Sequence, residues 1–156
     1  MASQIKIPDR AEMERFMKEA IAEARMSFDE GGVPIGSVLV KDGEIIARGY
    51  NRRVQHGDPT AHAEINCIRN AGRLGDYRGT VIYSTLMPCA MCAGAAIQFR
   101  VPIVVAGEDR TFQSSRQWME SNGVTVVDLD LDECYDLLQL FSNMKPDVWK
   151  EDIGEL

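Results

Sequence analysis

The sequence predicts a three-layer α/β/α domain, a central mixed five-stranded sheet with helices on both faces, and three observations carry that expectation. Five short runs rich in β-branched and other apolar residues, 35–40, 45–51, 80–85, 101–106 and 124–128, have the length and composition of buried strands. About five stretches with apolar side chains at helical spacing are interleaved with them. Lys41-Asp42-Gly43-Glu44 joins the first two runs. Asp-Gly supplies the positive φ angles of a tight turn, so those two strands pair antiparallel, and the later alternation of helix and strand makes the sheet mixed.

Taken in order, Pro8-Asp9 offers a helix cap, and Met13, Phe16, Met17, Ala20, Ile21, Ala24 and Phe28 then fall on one helical face until Gly31-Gly32 stops it. The two hairpin strands follow. Residues 62–71 read as a helix ended by Gly72, and 89–99 as a second after the third strand. Between the last two strands, 114–121 has helical character before Gly123. Asp130 or Asp132 opens a final helix that carries Leu131, Cys134, Leu137, Leu138 and Phe141 on one face and stops near Pro146. With no internal repeat, low-complexity tract or long Pro/Gly/Ser linker, the expectation is one domain over residues 1–156.

Composition removes several classes of function. A chain that is 45% hydrophobic and 26% charged, with 6 Pro and 13 Gly, is neither collagen-like nor largely disordered. Seventeen Lys and Arg against 24 Asp and Glu give a net charge of −7, which argues against polymeric nucleic acid as a partner. No apolar run approaches the roughly 18 residues that span a bilayer, and Met1-Ala2-Ser3-Gln4 leads straight into charge, so the expectation is a protein neither exported nor anchored. Four cysteines, two of them in a C-x-x-C pair, point to a reducing cytoplasm and a metal or redox site.

The chemistry concentrates in His62-Ala63-Glu64 and Pro88-Cys89-Ala90-Met91-Cys92, both at predicted helix starts. Cys89 and Cys92, three apart, share a helix side, and the partial positive charge of the helix N-terminus favours their thiolate form. Alone, the pair also fits a redox couple or half of a structural zinc site. With His62 as third ligand the set suits one Zn²⁺ per chain, held tetrahedrally with an open fourth position. Zinc lowers the pKa of a water it binds toward about 7, and Glu64 beside it is placed to shuttle protons. H-x-E followed by P-C-x-x-C is the pattern of zinc nucleobase deaminases. Cys67 and Cys134 read as buried small hydrophobes and His56 as a solvated loop residue.

Over nearly its whole length the chain resembles the zinc-dependent cytidine and nucleobase deaminase superfamily, and most of all the fungal-type cytosine deaminases. Besides the zinc motif, the resemblance lies in Glu30-Gly31-Gly32-Val33-Pro34-Ile35-Gly36, Gly49-Tyr50-Asn51, Thr85-Leu86-Met87-Pro88-Cys89, Val105-Ala106-Gly107-Glu108 and the acidic tail from Trp149 to Glu155. It implies a cytidine-deaminase-like fold and a homodimer. It also implies that Asn51 bonds the carbonyl edge of a pyrimidine, that Asp152 accepts from the exocyclic amine, and that Phe112 and Trp149 close over the ring. Without it, the same residues read as a strand-end Asn, a solvated acidic tail and two core aromatics.

Two pocket positions depart from the cytosine enzymes, which have Gly where Ala63 stands and Ser where Met87 stands. Asp58 to Glu64 and Pro88 to Ala95 look more like tRNA adenosine deaminases. Those enzymes, however, carry Glu at the Met87 position and a basic C-terminal helix, whereas here Asp128, Asp130, Asp132, Glu133 and Asp136 give that region the wrong sign for phosphates. The expectation is a cytoplasmic zinc hydrolase that deaminates a free nucleobase, cytosine to uracil. Guanine, another aminated heterocycle or tRNA adenosine are alternative substrates, and a non-catalytic zinc-stabilised binding module is the alternative of another class.

Overall fold

The computed structural model of the chain describes residues 5–112 and 115–155. Ser114, the first residue of the fourth predicted helix, and Met1-Ala2-Ser3-Gln4 lie outside the described residues. In chain order the elements are α1 (Arg10–Asp29), β1 (Gly36–Lys41), β2 (Glu44–Tyr50), α2 (Arg53–His56), α3 (Ala63–Ala71), β3 (Thr80–Ser84) and α4 (Ala90–Gln98). They continue with β4 (Ile103–Ala106), α5 (Arg116–Ser121), β5 (Thr125–Asp128), α6 (Asp132–Met144) and α7 (Pro146–Asp152).

Local chemistry accounts for the first elements. Asp9 caps α1 by accepting a hydrogen bond from the Glu12 amide at 2.9 Å, and Gly31 at φ 88° ends it. The hairpin between β1 and β2 turns on Asp42 and Gly43 at φ 52° and 76°, both in the left-handed region that a two-residue turn matching strand twist requires. The five strands form one sheet in the order β2-β1-β3-β4-β5. β1 is antiparallel to β2 and β3, whereas β3, β4 and β5 run parallel.

Alternation along these strands builds two cores. Val38, Val81, Tyr83, Ile103 and Val105 pack with α1 and with Cys134 of α6. Their neighbours Leu39, Ile82, Val104 and Ala106 pack with Cys67 of α3, Ala93 and Ala96 of α4 and Met119 of α5. The period of two in β-strands sends successive side chains to opposite faces, so a run apolar at every position must be covered on both sides. The predicted three-layer arrangement and mixed sheet are therefore present.

Two helices depart from the sequence reading. α2 is a single turn, too short to display a period, and ends at Gly57 with φ 61°. α7 begins at Pro146, read from sequence only as a stop. Proline suits the first position of a helix, where no intrahelical bond is asked of its nitrogen, so this residue separates α6 from a further helix. Leu131 is the N-cap of α6, between the two residues proposed to open it. Among the described residues no helix is long and apolar enough to cross a membrane.

One close approach determines where the chemistry sits. A Cβ on Gly49 of β2 would run into the amide nitrogen of Cys67 and lie 2.9 Å from the carbonyl oxygen of Ala63, so α3 rests directly on the strand backbone. The neighbours are backbone atoms and cannot swing aside. Gly49→Ala is expected to cost at least about 2 kcal/mol of stability, which for a chain of this size lowers the melting temperature by roughly 4–8 °C. Thermal denaturation of the two proteins checks it.

Candidate metal centre and active site

The site is built where two helices begin. His62 is the N-cap of α3 and Cys89 the N-cap of α4, each with extended backbone, and neither side chain caps its own helix. Both are thus free to face outward, toward each other. Cys92 follows one turn into α4, on the same side as Cys89. The Sγ atoms of Cys89 and Cys92 stand 3.4 and 3.7 Å from Nδ1 of His62. All three ligand atoms lie within 4.8 Å of one another.

The far side of the imidazole is held as firmly. His62 Nε2 lies 3.2 Å from Oδ1 of Asp152 on α7, whose other oxygen accepts from Nδ2 of Asn51 at 3.0 Å. The Oδ1 of Asn51 accepts from the Arg53 amide at 3.0 Å, and its main-chain carbonyl from Ser27 Oγ at 2.6 Å. With one carboxylate oxygen at Nε2, the proton belongs on that nitrogen and Nδ1 is left as the donor to a metal.

The electrostatics show which groups would have to release a proton before a metal is held. The Cys89 thiol is lowered to about 4, first by the hydrogen bond from Cys92 and then by the one from His62. Cys92 is pushed well above the usual thiol range by that same bond and by burial. Burial opposes charge on His62, yet the bond to Cys89 and the charge of Asp152 outweigh it and raise the ring to about 9. Glu64 is raised to about 7, chiefly by burial, with the Cys89 charge adding. Burial also raises Asp152, against the pull of His62 and Arg53.

A single pocket gathers the residues singled out from sequence. Asn51, Ala63, Met87, Phe112, Trp149 and Asp152 line it together with His62, Glu64 and Cys89. Its free space of about 20 Å³ accommodates roughly one water. Ile35, Leu86 and Ile153 complete the lining and were not anticipated. Ile153 lies four residues after Trp149, a helical interval that would have revealed it had α7 been read as a helix. Oε1 of Glu64 is buried and has no hydrogen-bond partner among the described residues. Cys67 and Cys134 are buried in the two cores, and His56 is exposed at the end of α2.

Residues 10–108 match the family model for the cytidine and deoxycytidylate deaminase zinc-binding region. The chain belongs to this family of zinc-dependent deaminases. Over 142 residues, 89% of this chain and 95% of the relative, the deaminase is 40% identical to the cytosine deaminase of Candida albicans. It is 50% identical over 97 residues to the tRNA-specific adenosine deaminase of Bacillus subtilis, 60% of either chain. A solved guanine deaminase from Nitrosomonas europaea superposes with a TM-score of 0.72 at 22% identity, covering 89% of this chain and 87% of that one, a likeness of fold.

The donor set fits zinc. With Zn–S near 2.3 Å and Zn–N near 2.05 Å, a tetrahedral angle separates sulfur from nitrogen by about 3.6 Å, and the two separations here are 3.4 and 3.7 Å. Cys92 and His62 would hold the ion after giving up the protons that the site otherwise leaves on them. Asp152, 3.2 Å from Nε2, stands where a carboxylate would orient His62 as a metal ligand, so Asp152→Asn is expected to weaken zinc binding by about 10- to 100-fold, read by chelator competition. Cys67 and Cys134 are raised to about 12 by burial. At pH 8 that leaves about 10⁻⁴ of each as thiolate, so in the native protein both are expected to alkylate roughly 10³-fold more slowly than free cysteine, measured by mass spectrometry.

Proposed function

We propose that this deaminase acts on a free nucleobase, with cytosine and water giving uracil and ammonia. One observation carries the reading: a buried carboxylate, Glu64, shares with the His62–Cys89–Cys92 triangle a pocket of small free volume walled by aromatic side chains. A chain of net charge −7 offers the phosphates of an anticodon little attraction.

When bound, zinc supplies the Lewis acidity that activates water near neutral pH. Glu64 takes one proton of the attacking water and passes it to the ring nitrogen, then moves the second from the new hydroxyl to the departing amine, which leaves as ammonia as the carbonyl forms, a task matched by a carboxyl pKa near 7. The second hydrogen on Nδ2 of Asn51 is available to the ring carbonyl, because its first is committed to Asp152. Asp152 accepts from the exocyclic amine, while Phe112 and Trp149 flank the ring faces. Helix starts at His62 and Cys89 place backbone amides where negative charge collects.

A second reading, tRNA adenosine, is favoured by the high identity to the tRNA-specific enzyme over the zinc motifs. Against it stand the acidic residues Asp128, Asp130, Asp132, Glu133 and Asp136. Guanine or another aminated heterocycle remains in play through Met87, larger than the serine of the cytosine enzymes and 1% exposed in the pocket wall. A merely zinc-stabilised binding module would have no use for the buried carboxylate of Glu64. We place the protein in the cytoplasm as a homodimer, with Met91 and Phe99 of the α4 region and Trp118 of α5 as exposed apolar surface for the second copy.

Ammonia release by zinc-replete protein across cytosine, guanine, adenine and a tRNA anticodon stem-loop is expected to be fastest with cytosine. Turnover of the stem-loop alone overturns the free-base reading. Glu64→Ala is expected to keep zinc and lose at least about 10²-fold in turnover; retained turnover refutes the shuttle.

A further inference from the structure

Glu108 follows Gly107 at the end of β4, and its side chain is completely buried, with 0% exposure. It is not among the residues that line the pocket. Among the described residues it has no ion pair: the nearby guanidinium of Arg110 feels its charge but is paired with Asp130 and Asp132, at 2.8 and 2.9 Å, and lies over the ring of Tyr135. Its oxygens are satisfied by one turn of chain. Oε2 accepts from the amides of Arg110 and Thr111 at 2.6 and 2.9 Å, and Oε1 from the Thr111 hydroxyl at 2.5 Å. The next residue is Phe112, which lines the pocket.

The main chain of the same residue holds a second stretch of wall. The carbonyl oxygen of Glu108 accepts from the amide of Met87 at 2.9 Å, two residues before Cys89. A carboxylate is costly to bury without a counter-ion, and hydrogen bonds to an ionised acceptor are strong and directional. A neutral side chain would satisfy a surface loop at far lower cost. The expense makes sense if the turn must be held in one arrangement.

We propose that Glu108 is a positioning residue for substrate recognition: its carboxylate clamps the 110–111 turn so that Phe112 meets the ring of the base at a fixed height, while its carbonyl holds Met87 in the same wall. This rests on the reading that the pocket receives a planar base. The role lies in binding the ring and leaves proton transfer by Glu64 untouched. Glu108→Gln keeps size and shape but turns an acceptor into a donor that faces the donors of the turn.

Steady-state kinetics are read with the base that the unsubstituted enzyme turns over, alongside zinc content and amide hydrogen exchange. Glu108→Gln is expected to raise KM about tenfold, leave kcat within about threefold, retain one zinc per chain and speed exchange at the 110 and 111 amides. In a Phe112→Ala background the same substitution is expected to change KM less than twofold, because the group it positions is gone. Thr111→Val, which removes one donor from the carboxylate, is expected to raise KM about threefold and serves if Glu108→Gln does not fold. An unchanged KM, a full tenfold effect in the Phe112→Ala background, or joint loss of zinc and kcat overturns the proposal while leaving the deaminase reading intact. An enzyme inactive on every free base overturns both.

Discussion

The beginnings of α3 and α4 must meet, and most of the architecture serves that meeting. Each helix presents its first residue, His62 or Cys89, with the side chain released from capping, and α4 adds Cys92 one turn later. Two positive helix ends pointing at one place would repel unless negative charge lay between them. The thiolate of Cys89 and the buried carboxyl of Glu64 occupy that place. The attraction between helix ends and anionic groups thus works in the same direction as metal coordination at Cys89, whose thiolate the site favours, while Cys92 is held as the thiol.

Backbone contact makes the meeting accurate. α3 lies on β2 at Gly49 with no side chain between, and α1 comes equally close to β1 at Gly36. On the other side, β3 leads through Thr85 and Met87 to Cys89, and those residues are tied to their neighbours by Thr85 N–H to the Gly36 carbonyl and Met87 N–H to the Glu108 carbonyl. Strand ends, rather than flexible loops, therefore set the distance between imidazole and thiolates. The pocket lies at the carboxyl ends of the parallel strands, where open α/β sheets leave a crevice.

Much of this was legible in the chain. Five apolar runs and the Asp-Gly turn give the sheet and its hairpin because strand burial and positive φ leave marks on single residues. The ligand triangle was legible because metal chemistry restricts residue type and spacing so tightly. α7 was hidden by Pro146, whose one signal, a helix break, has two meanings, and only the tertiary position tells which applies. The chain of contacts from His62 through Asp152 to Asn51 was hidden for another reason: its members are joined in space and share no local period. Glu108 gave no sign of its burial, since a carboxylate beside glycine looks like an ordinary surface residue until its donors are seen.

Asn51 and Asp152, bonded side chain to side chain, are 101 positions apart in the chain. During synthesis every metal ligand has left the ribosome while the partner that steadies the imidazole is still unmade. Docking of α7 is therefore what completes the contact to Nε2 of His62, and the carboxylate that aims the ring arrives from the far end of the described chain.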